Sequence, residues 1–223
     1  MIRLTTILIL LISTVGISQN PIEKTVGEFT ELKIYDLIEV ELIKSDVNKI
    51  IISGKLNDEV LVNNKNGTLK IKMGFNEIFN GNKTKVKLYY TSVDVVDVNE
   101  GAKVHSEDTI KQFEIDLNAQ EGGKIKLDLD VTYANIRSVT GSNIVATGLS
   151  KHQDISIYTG GIYEGKDLKT EFTDVSIRAA GEAHVNAKTL VNAKVRAGGD
   201  IYIYGNPERV DESRVFGGRV KRM

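Results

Sequence analysis

The sequence predicts an all-β protein that folds as a parallel β-solenoid with about 20 residues per turn, preceded by a less regular β region. Three observations favour this class. Glycine motifs recur at nearly constant spacing, apolar residues recur with them, and no long segment has the 3.6-residue apolar period of a helix. Segments such as "DIYIY" alternate strictly, which predicts that Ile201 and Ile203 face a core while Tyr202 and Tyr204 face outward.

The glycine motif consists of a glycine, two further residues and a β-branched residue. Good copies begin at Gly101, Gly122, Gly141, Gly198 and Gly217, and weaker copies ("GGIY" and "GEAH") begin at Gly160 and Gly181. Successive copies are 17 to 21 residues apart. A corner between strands often needs a positive φ, which glycine adopts without steric cost. Hairpin loops of a β-sandwich, the alternative, would recur every 8 to 12 residues or so.

Two columns of apolar residues accompany the glycines and suggest three inward anchors on three short strands in each turn. The column before the glycines is Val96, Ile115, Ile136, Ile157, Ile177, Val195 and Val215, and the column after them is Ile110, Val131, Leu149, Leu168, Leu190 and Val210. Such turns would have a roughly triangular section and would stack about 4.8 Å apart.

The chain divides into three predicted parts. Residues 1–18 have a basic residue, an apolar stretch "ILILLI" and small residues before Gln19, which is typical of a secretory signal peptide. Residues 19–95 are rich in strands and contain an Asn-Gly pair in "NNKNGTLKI" that predicts a hairpin. This part is expected to form irregular first turns or a cap, continuous with the repeat solenoid of residues 96–223.

Composition excludes several classes of function. The formal net charge is -1, which argues against a nucleic-acid partner, and the absence of cysteine excludes disulfides and thiolate metal sites. The apolar run at the N-terminus is shorter than a spanning helix needs, so no stable transmembrane segment is expected after signal cleavage. The three histidines do not share a place in the repeat, and neither a metal nor another cofactor is expected.

A candidate binding strip follows the apolar column that precedes the glycines. The residues directly after it, which alternation points outward, are Asp97, Asp116, Arg137, Tyr158, Arg178, Arg196 and Phe216. Stacking is expected to place Asp116 beside Arg137, and Tyr158 between Arg137 and Arg178. These side chains could be ordinary ladder partners. Alternatively, Arg137, Tyr158, Arg178 and Arg196, extended across a corner by Tyr163, Tyr202 and Tyr204, form a recognition strip, because arginine and tyrosine are enriched at binding hot spots.

The chain also resembles the auto-transporter adhesin family with a head GIN domain. The resemblance rests on the predicted signal peptide, on "VGEFTELKIYDLIEVEL" followed by "NGTLKI", and on the later glycine repeats. It implies a right-handed β-solenoid at or beyond the outer membrane. With the predicted signal peptide, the expected location is the periplasm, the outer-membrane surface or the cell exterior. It brings no catalytic residues with it.

These observations favour a non-catalytic exported module that binds a glycan or an envelope protein. One alternative is a polysaccharide lyase or hydrolase, in which Asp97 and Asp116 would hold calcium near Arg137. Another is a structural protein that forms homo-oligomers through an open solenoid end, because the basic C-terminus shows no obvious cap.

Overall fold

The computed structural model describes residues 20–223, so the predicted signal peptide lies outside the described residues. The described chain forms one 16-stranded sheet with three single-turn 3₁₀ helices. The strands are β1 (Ile22–Thr25), β2 (Glu31–Ile34), β3 (Glu39–Lys44), β4 (Lys49–Gly54), β5 (Val60–Lys65), β6 (Thr68–Met73), β7 (Thr84–Tyr90), β8 (Val95–Val98), β9 (Lys103–Ala119), β10 (Lys124–Val139), β11 (Asn143–Tyr158), β12 (Ile162–Ile177), β13 (Glu182–Ala197), β14 (Asp200–Tyr204), β15 (Arg209–Phe216) and β16 (Arg219–Arg222). The 3₁₀ helices are Asn57–Glu59, Phe75–Glu77 and Gly81–Lys83. Among these residues no helix is long and apolar enough to cross a membrane.

The predicted parallel β-solenoid is confirmed. Strands β9 to β13 pair with their sequence neighbours in parallel, and β14 and β15 both pair with β13. Turns begin 18 to 21 residues apart, from β9 through β14 to β16. Each turn from β9 to β13 runs as one strand of 16 or 17 residues with local register shifts, rather than as three separate short strands.

The less regular N-terminal region is also confirmed, and it joins the same sheet. Strands β2 and β3 pair in parallel with β8 and β9, whereas β1, β4 and β7 add antiparallel pairs. The predicted hairpin connects β5 and β6, where Asn66 and Gly67 both have positive φ, 53° and 79°. Two consecutive positive φ values match the twist of the flanking strands, which explains the Asn-Gly pair.

The glycine corners are formed by pairs of residues with positive φ. In one corner Glu121 has a φ of 51° and Gly122 of 76°; in the next, Thr140 has 50° and Gly141 has 67°. Glycine stands at the second position because a side chain there would be strained. The backbone requirement behind the sequence motif is therefore present in the structure.

The inward residues form continuous ladders along the stack of turns. The residues of the predicted column before the glycines do not lie on one ladder, however, but are distributed over three. Ile136 stacks between Leu117 and Ile155, whereas Ile157 stacks on Ile177. Ile136 and Ile157 are both buried nonetheless, because an error of two residues leaves a side chain on the same face of a strand.

Three predicted anchors are wrong. Leu190 is only partly buried and pairs with Phe172 on the outward face, whereas the next residue, Val191, is buried. Leu149 is 55% exposed, because a register shift after Val145 puts Gly148 on the buried ladder beside Leu129 and Leu168. Val215 is 62% exposed, because Arg214 is the residue paired with Val195. The errors at Leu149 and Val215 arise where the spacing changes by one residue, which moves a side chain to the opposite face.

Candidate functional site

Three adjacent turns present a grid of nine outward polar side chains, three from each turn; eight lie within β11, β12 and β13, and Arg178 directly follows β12. We call the shallow groove of about 220 Å³ over this grid the arginine groove. One row contains Asp154, Asp174 and Asn192, the second Ser156, Ser176 and Lys194, and the third, next to the glycine corners, Tyr158, Arg178 and Arg196. The intervening residues of all three strands are buried in the core, so alternation holds the grid outward.

The sequence prediction that Tyr158 lies between two arginines is confirmed by their contacts. The guanidinium carbon of Arg178 lies 5.3 Å from the centre of the Tyr158 ring, and that of Arg137, on β10, lies 5.7 Å away. Cation–π contacts of this kind stabilise by about 0.5–1 kcal/mol at exposed sites. Because arginines cover the ring, Tyr158 positions them and is not a platform for a stacked sugar.

The arginines of this surface have no acidic partner of their own. Within residues 20–223, the ion pairs of arginine belong to Arg209, Arg214 and Arg219, and none involves Arg137, Arg178 or Arg196. Their guanidinium donors therefore remain available for a carboxylate or a sulfate, which arginine binds through two parallel hydrogen bonds.

The opposite wall of the groove is acidic and provides acceptors. Asp174 accepts a hydrogen bond from Asn192 Nδ2 at 2.9 Å, and Asp154 is paired with Asp174 across the two strands. Burial first, then the charge of Asp174, raises the pKa of Asp154 above its ordinary value of 3.8, while Lys194 opposes the shift. The groove thus presents anion-binding donors on one wall and hydroxyl-binding acceptors on the other.

We expect Asp154→Asn to stabilise the fold at neutral pH by about 0.5 kcal/mol, a small effect because the site is partly open to solvent. A raised pKa means that the folded protein holds this proton more tightly than the unfolded chain does, so the ionised carboxyl destabilises the fold. The gain should be present above the folded pKa and vanish below the ordinary value of 3.8. Urea unfolding at pH 7 and pH 3, with Asp167→Asn as control, measures it. A gain that is equal at both pH values would contradict this account.

The expectation that Tyr163 belongs to an outward strip is wrong. Its side chain is fully buried, and its hydroxyl donates to Gln153 Oε1 at 2.9 Å. Gln153 in turn donates to Thr173 Oγ1 at 2.8 Å, and burial raises the pKa of Tyr163. Gly165 leaves the space that the ring occupies, since a Cβ there would lie 2.5 Å from ring carbons of Tyr163. Tyr163 is therefore a core residue inside a hydrogen-bonded network.

Tyr202 and Tyr204 face outward as expected, but they form a separate cluster beyond the Gly198–Gly199 corner. His184 stacks on Tyr202 with ring centres 4.7 Å apart, and its Nδ1 lies 3.2 Å from the Tyr204 hydroxyl. Lys221 Nζ lies 5.7 Å from the centre of the Tyr202 ring. None of these contacts, in the described part of the chain, involves an arginine of the groove.

The expected stacking of Asp116 beside Arg137 is wrong, because Asn135 is the residue paired with Asp116. Asn135 Nδ2 donates to Asp116 Oδ1 at 2.7 Å, and Lys33 Nζ donates to Asp97 Oδ2 at 3.2 Å. Asp97 and Asp116 lie on different ladders, and both have partners within the chain. Among residues 20–223, no group of three or more histidine and carboxylate side chains is arranged to hold a metal ion.

A second outward feature was missed from the sequence. Phe113, Tyr133, His152 and Phe172, on four successive strands, form an aromatic ladder with ring centres 5.3, 4.9 and 4.8 Å apart. Their spacing of 19 or 20 residues was the signal that could have revealed it. The inner rings are stacked on each other, so the ladder presents mainly ring edges to solvent.

Comparisons with known proteins match this architecture. The family described as "Putative auto-transporter adhesin, head GIN domain" matches residues 28–207. The fold is similar to that of a "putative adhesin" from Bacteroides fragilis, with a TM-score of 0.83 and 19% identity over 92% of this chain and 98% of that one. It is also similar to a "putative lipid binding protein" from Parabacteroides distasonis, with a TM-score of 0.73 and 17% identity over 92% and 96%. None of the curated proteins matches the sequence.

Proposed function

Because this chain belongs to the family of "putative auto-transporter adhesins" with a head GIN domain, we propose that it is an exported, non-catalytic surface module whose arginine groove binds an acidic glycan. The family and the solenoid fold support a surface adhesion-like module. The ligand class rests on the groove itself and not on the relatives.

The observation that carries the proposal is the set of arginines without acidic partners. A surface ladder that served stability alone would be expected to pair its cations with neighbouring carboxylates. Here Arg178 and Arg196 lie on consecutive turns with no ion pair inside the described chain, although Asp154 and Asp174 lie in the same groove. Two guanidinium groups held one strand apart can donate parallel hydrogen bonds to a uronate carboxylate or a sulfate.

The remaining groups of the groove fit sugar hydroxyls. Ser156 and Ser176 form the floor between the arginine row and the aspartate row, and the Asp154 and Asp174 carboxylates accept hydrogen bonds. Parallel strands repeat these groups at about 4.8 Å, which suits an extended chain laid across the strands. Binding would be weakened by salt, because the attraction between exposed charges is screened.

A glycan array tests the proposal. The wild-type protein is expected to bind glycans that carry uronate or sulfate and to ignore their neutral counterparts. The triple variant Arg137→Gln, Arg178→Gln, Arg196→Gln should lose at least about tenfold in affinity, since each hydrogen bond to a charged group contributes roughly 1.5–3 kcal/mol. The control is Lys126→Gln, which removes a positive charge from β10 outside the groove.

Three outcomes would contradict the proposal. Binding of neutral glycans as strongly as acidic ones would show that charge does not determine binding. Undiminished binding by the triple variant would show that the ligand does not bind in the arginine groove. A blank array with folded protein would reject a glycan ligand and favour an envelope protein as the partner.

A further inference from the structure

The last turn of the solenoid differs from all earlier turns in its ladder residues. Strand β15 pairs with β13 alone, so its outer edge has no partner strand among the described residues. Glu212 pairs with buried Ala193, and Arg214 with buried Val195. Because Glu212 and Arg214 occupy positions that are apolar in the preceding turn, the apolar core ends at this turn.

The side chains on this face of β15 are self-complementary. By alternation, Val210, Glu212, Arg214 and Phe216 share the face that continues the core. Their order is apolar, acidic, basic, apolar. When a second copy of β15 is laid antiparallel with the two strands centred on Ser213, each Glu212 faces an Arg214, and each Val210 faces a Phe216.

We propose that two copies of this protein associate through the outer edges of their β15 strands, antiparallel and centred on Ser213. The contact is isologous, so it closes as a dimer and does not continue into a fibre. The Glu212 and Arg214 side chains, which form an ion pair within one chain, would exchange into two ion pairs between chains. The unpaired edge would gain hydrogen bonds along the strand.

An exposed apolar side chain supports the proposed dimer contact at this end of the molecule. Phe216, on the face that the second copy would cover, is 76% exposed although it lies on a strand beside the core. In the antiparallel arrangement, Phe216 would be covered by the Val210 of the other copy. This contact does not use the arginine groove, so it is independent of the proposed glycan binding.

Charge complementation between two variants tests the proposal. Sedimentation velocity of the wild-type protein is expected to show a concentration-dependent rise from the monomer mass to twice that mass. Glu212→Arg places two arginines on each copy and Arg214→Glu places two glutamates, so each variant alone should dimerise at least about tenfold more weakly, because like charges then face each other. A one-to-one mixture should restore the dimer, since every arginine would again face a glutamate.

Two further variants refine the test. Phe216→Ser should weaken the dimer, whereas Phe75→Ser, which removes an 88% exposed phenylalanine elsewhere, should not. A wild-type protein that stays monomeric at about 100 µM would overturn the proposal. So would unimpaired dimerisation of both charge variants, a mixture that stays monomeric, or assembly into species larger than a dimer.

Discussion

Replacing Tyr163 by alanine is expected to lower the free energy of unfolding by about 3–5 kcal/mol, the loss typical of a large aromatic residue removed from a core. The ring is fully buried within the middle turns, and it occupies the space that Gly165 leaves by having no side chain. Deleting the ring leaves a cavity and also leaves Gln153 without the hydroxyl that donates to it. Urea denaturation followed by circular dichroism gives the difference.

Tyr163→Phe separates the two contributions. It keeps the ring and removes only the hydroxyl, so Gln153 Oε1 loses its hydrogen bond in a buried site, at a cost of about 1–3 kcal/mol. A surface tyrosine change, Tyr133→Ala, should cost much less, because that ring is 38% exposed. If Tyr163→Ala were as mild as Tyr133→Ala, the side chain would not lie inside the solenoid.

Gly161→Ala should also be strongly destabilising, by about 3 kcal/mol, because there is no room for a Cβ. An added Cβ would lie 2.3 Å from the carbonyl oxygen of Ser138, on the neighbouring turn. That backbone cannot yield easily, since the Ser138 hydroxyl accepts a hydrogen bond from the amide of Ile162 at 3.1 Å. Thermal and urea unfolding of the purified variant measure the loss.

The adjacent glycine is the matched control. Gly160 has a φ of 75°, but an added Cβ would meet nothing within 4 Å, so Gly160→Ala should cost only the strain of a left-handed residue, about 1–2 kcal/mol. Equal losses in the two variants would mean that the turns are not packed as described at this corner.

Much of the fold could be predicted from the sequence, because the corners and the alternation are local properties. Gly122 and Gly141 were found by their spacing, and they occupy the expected positive-φ corners. The exact stacking could not be found, because an error of two residues keeps a side chain on the same face. Ile136 and Ile157 were placed in one column although they lie on different ladders, and both are buried.

The error at Tyr163 had a different cause. In every copy of the glycine motif except "GEAH", the fourth residue faces the core, as Ile125 and Ile144 do, and Tyr163 is the fourth residue of "GGIY". The position therefore indicated burial, but tyrosine was interpreted as a displayed residue. Its hydroxyl is accommodated by a buried glutamine, a partner that the local sequence does not reveal.

The site was only partly predictable. Tyr158, Arg178 and Arg196 stand out by residue type, and they do lie together with Arg137 beside the groove. Asp154 and Lys194 are ordinary surface residues in the sequence, and only the register between β11, β12 and β13 places them on the same grid.

The most direct test of the arginine groove is to locate a bound acidic oligosaccharide by nuclear magnetic resonance. Isotope-labelled protein would be titrated with an oligogalacturonide and with a dextran sulfate oligosaccharide, and neutral dextran would serve as control. We predict that the amide shifts concentrate in residues 154–158, 174–178 and 192–196, and that they disappear in Arg178→Gln, Arg196→Gln protein. Shifts that concentrate on the aromatic ladder or on the Tyr202 cluster, or shifts of equal size with neutral dextran, would contradict the assignment of the binding site.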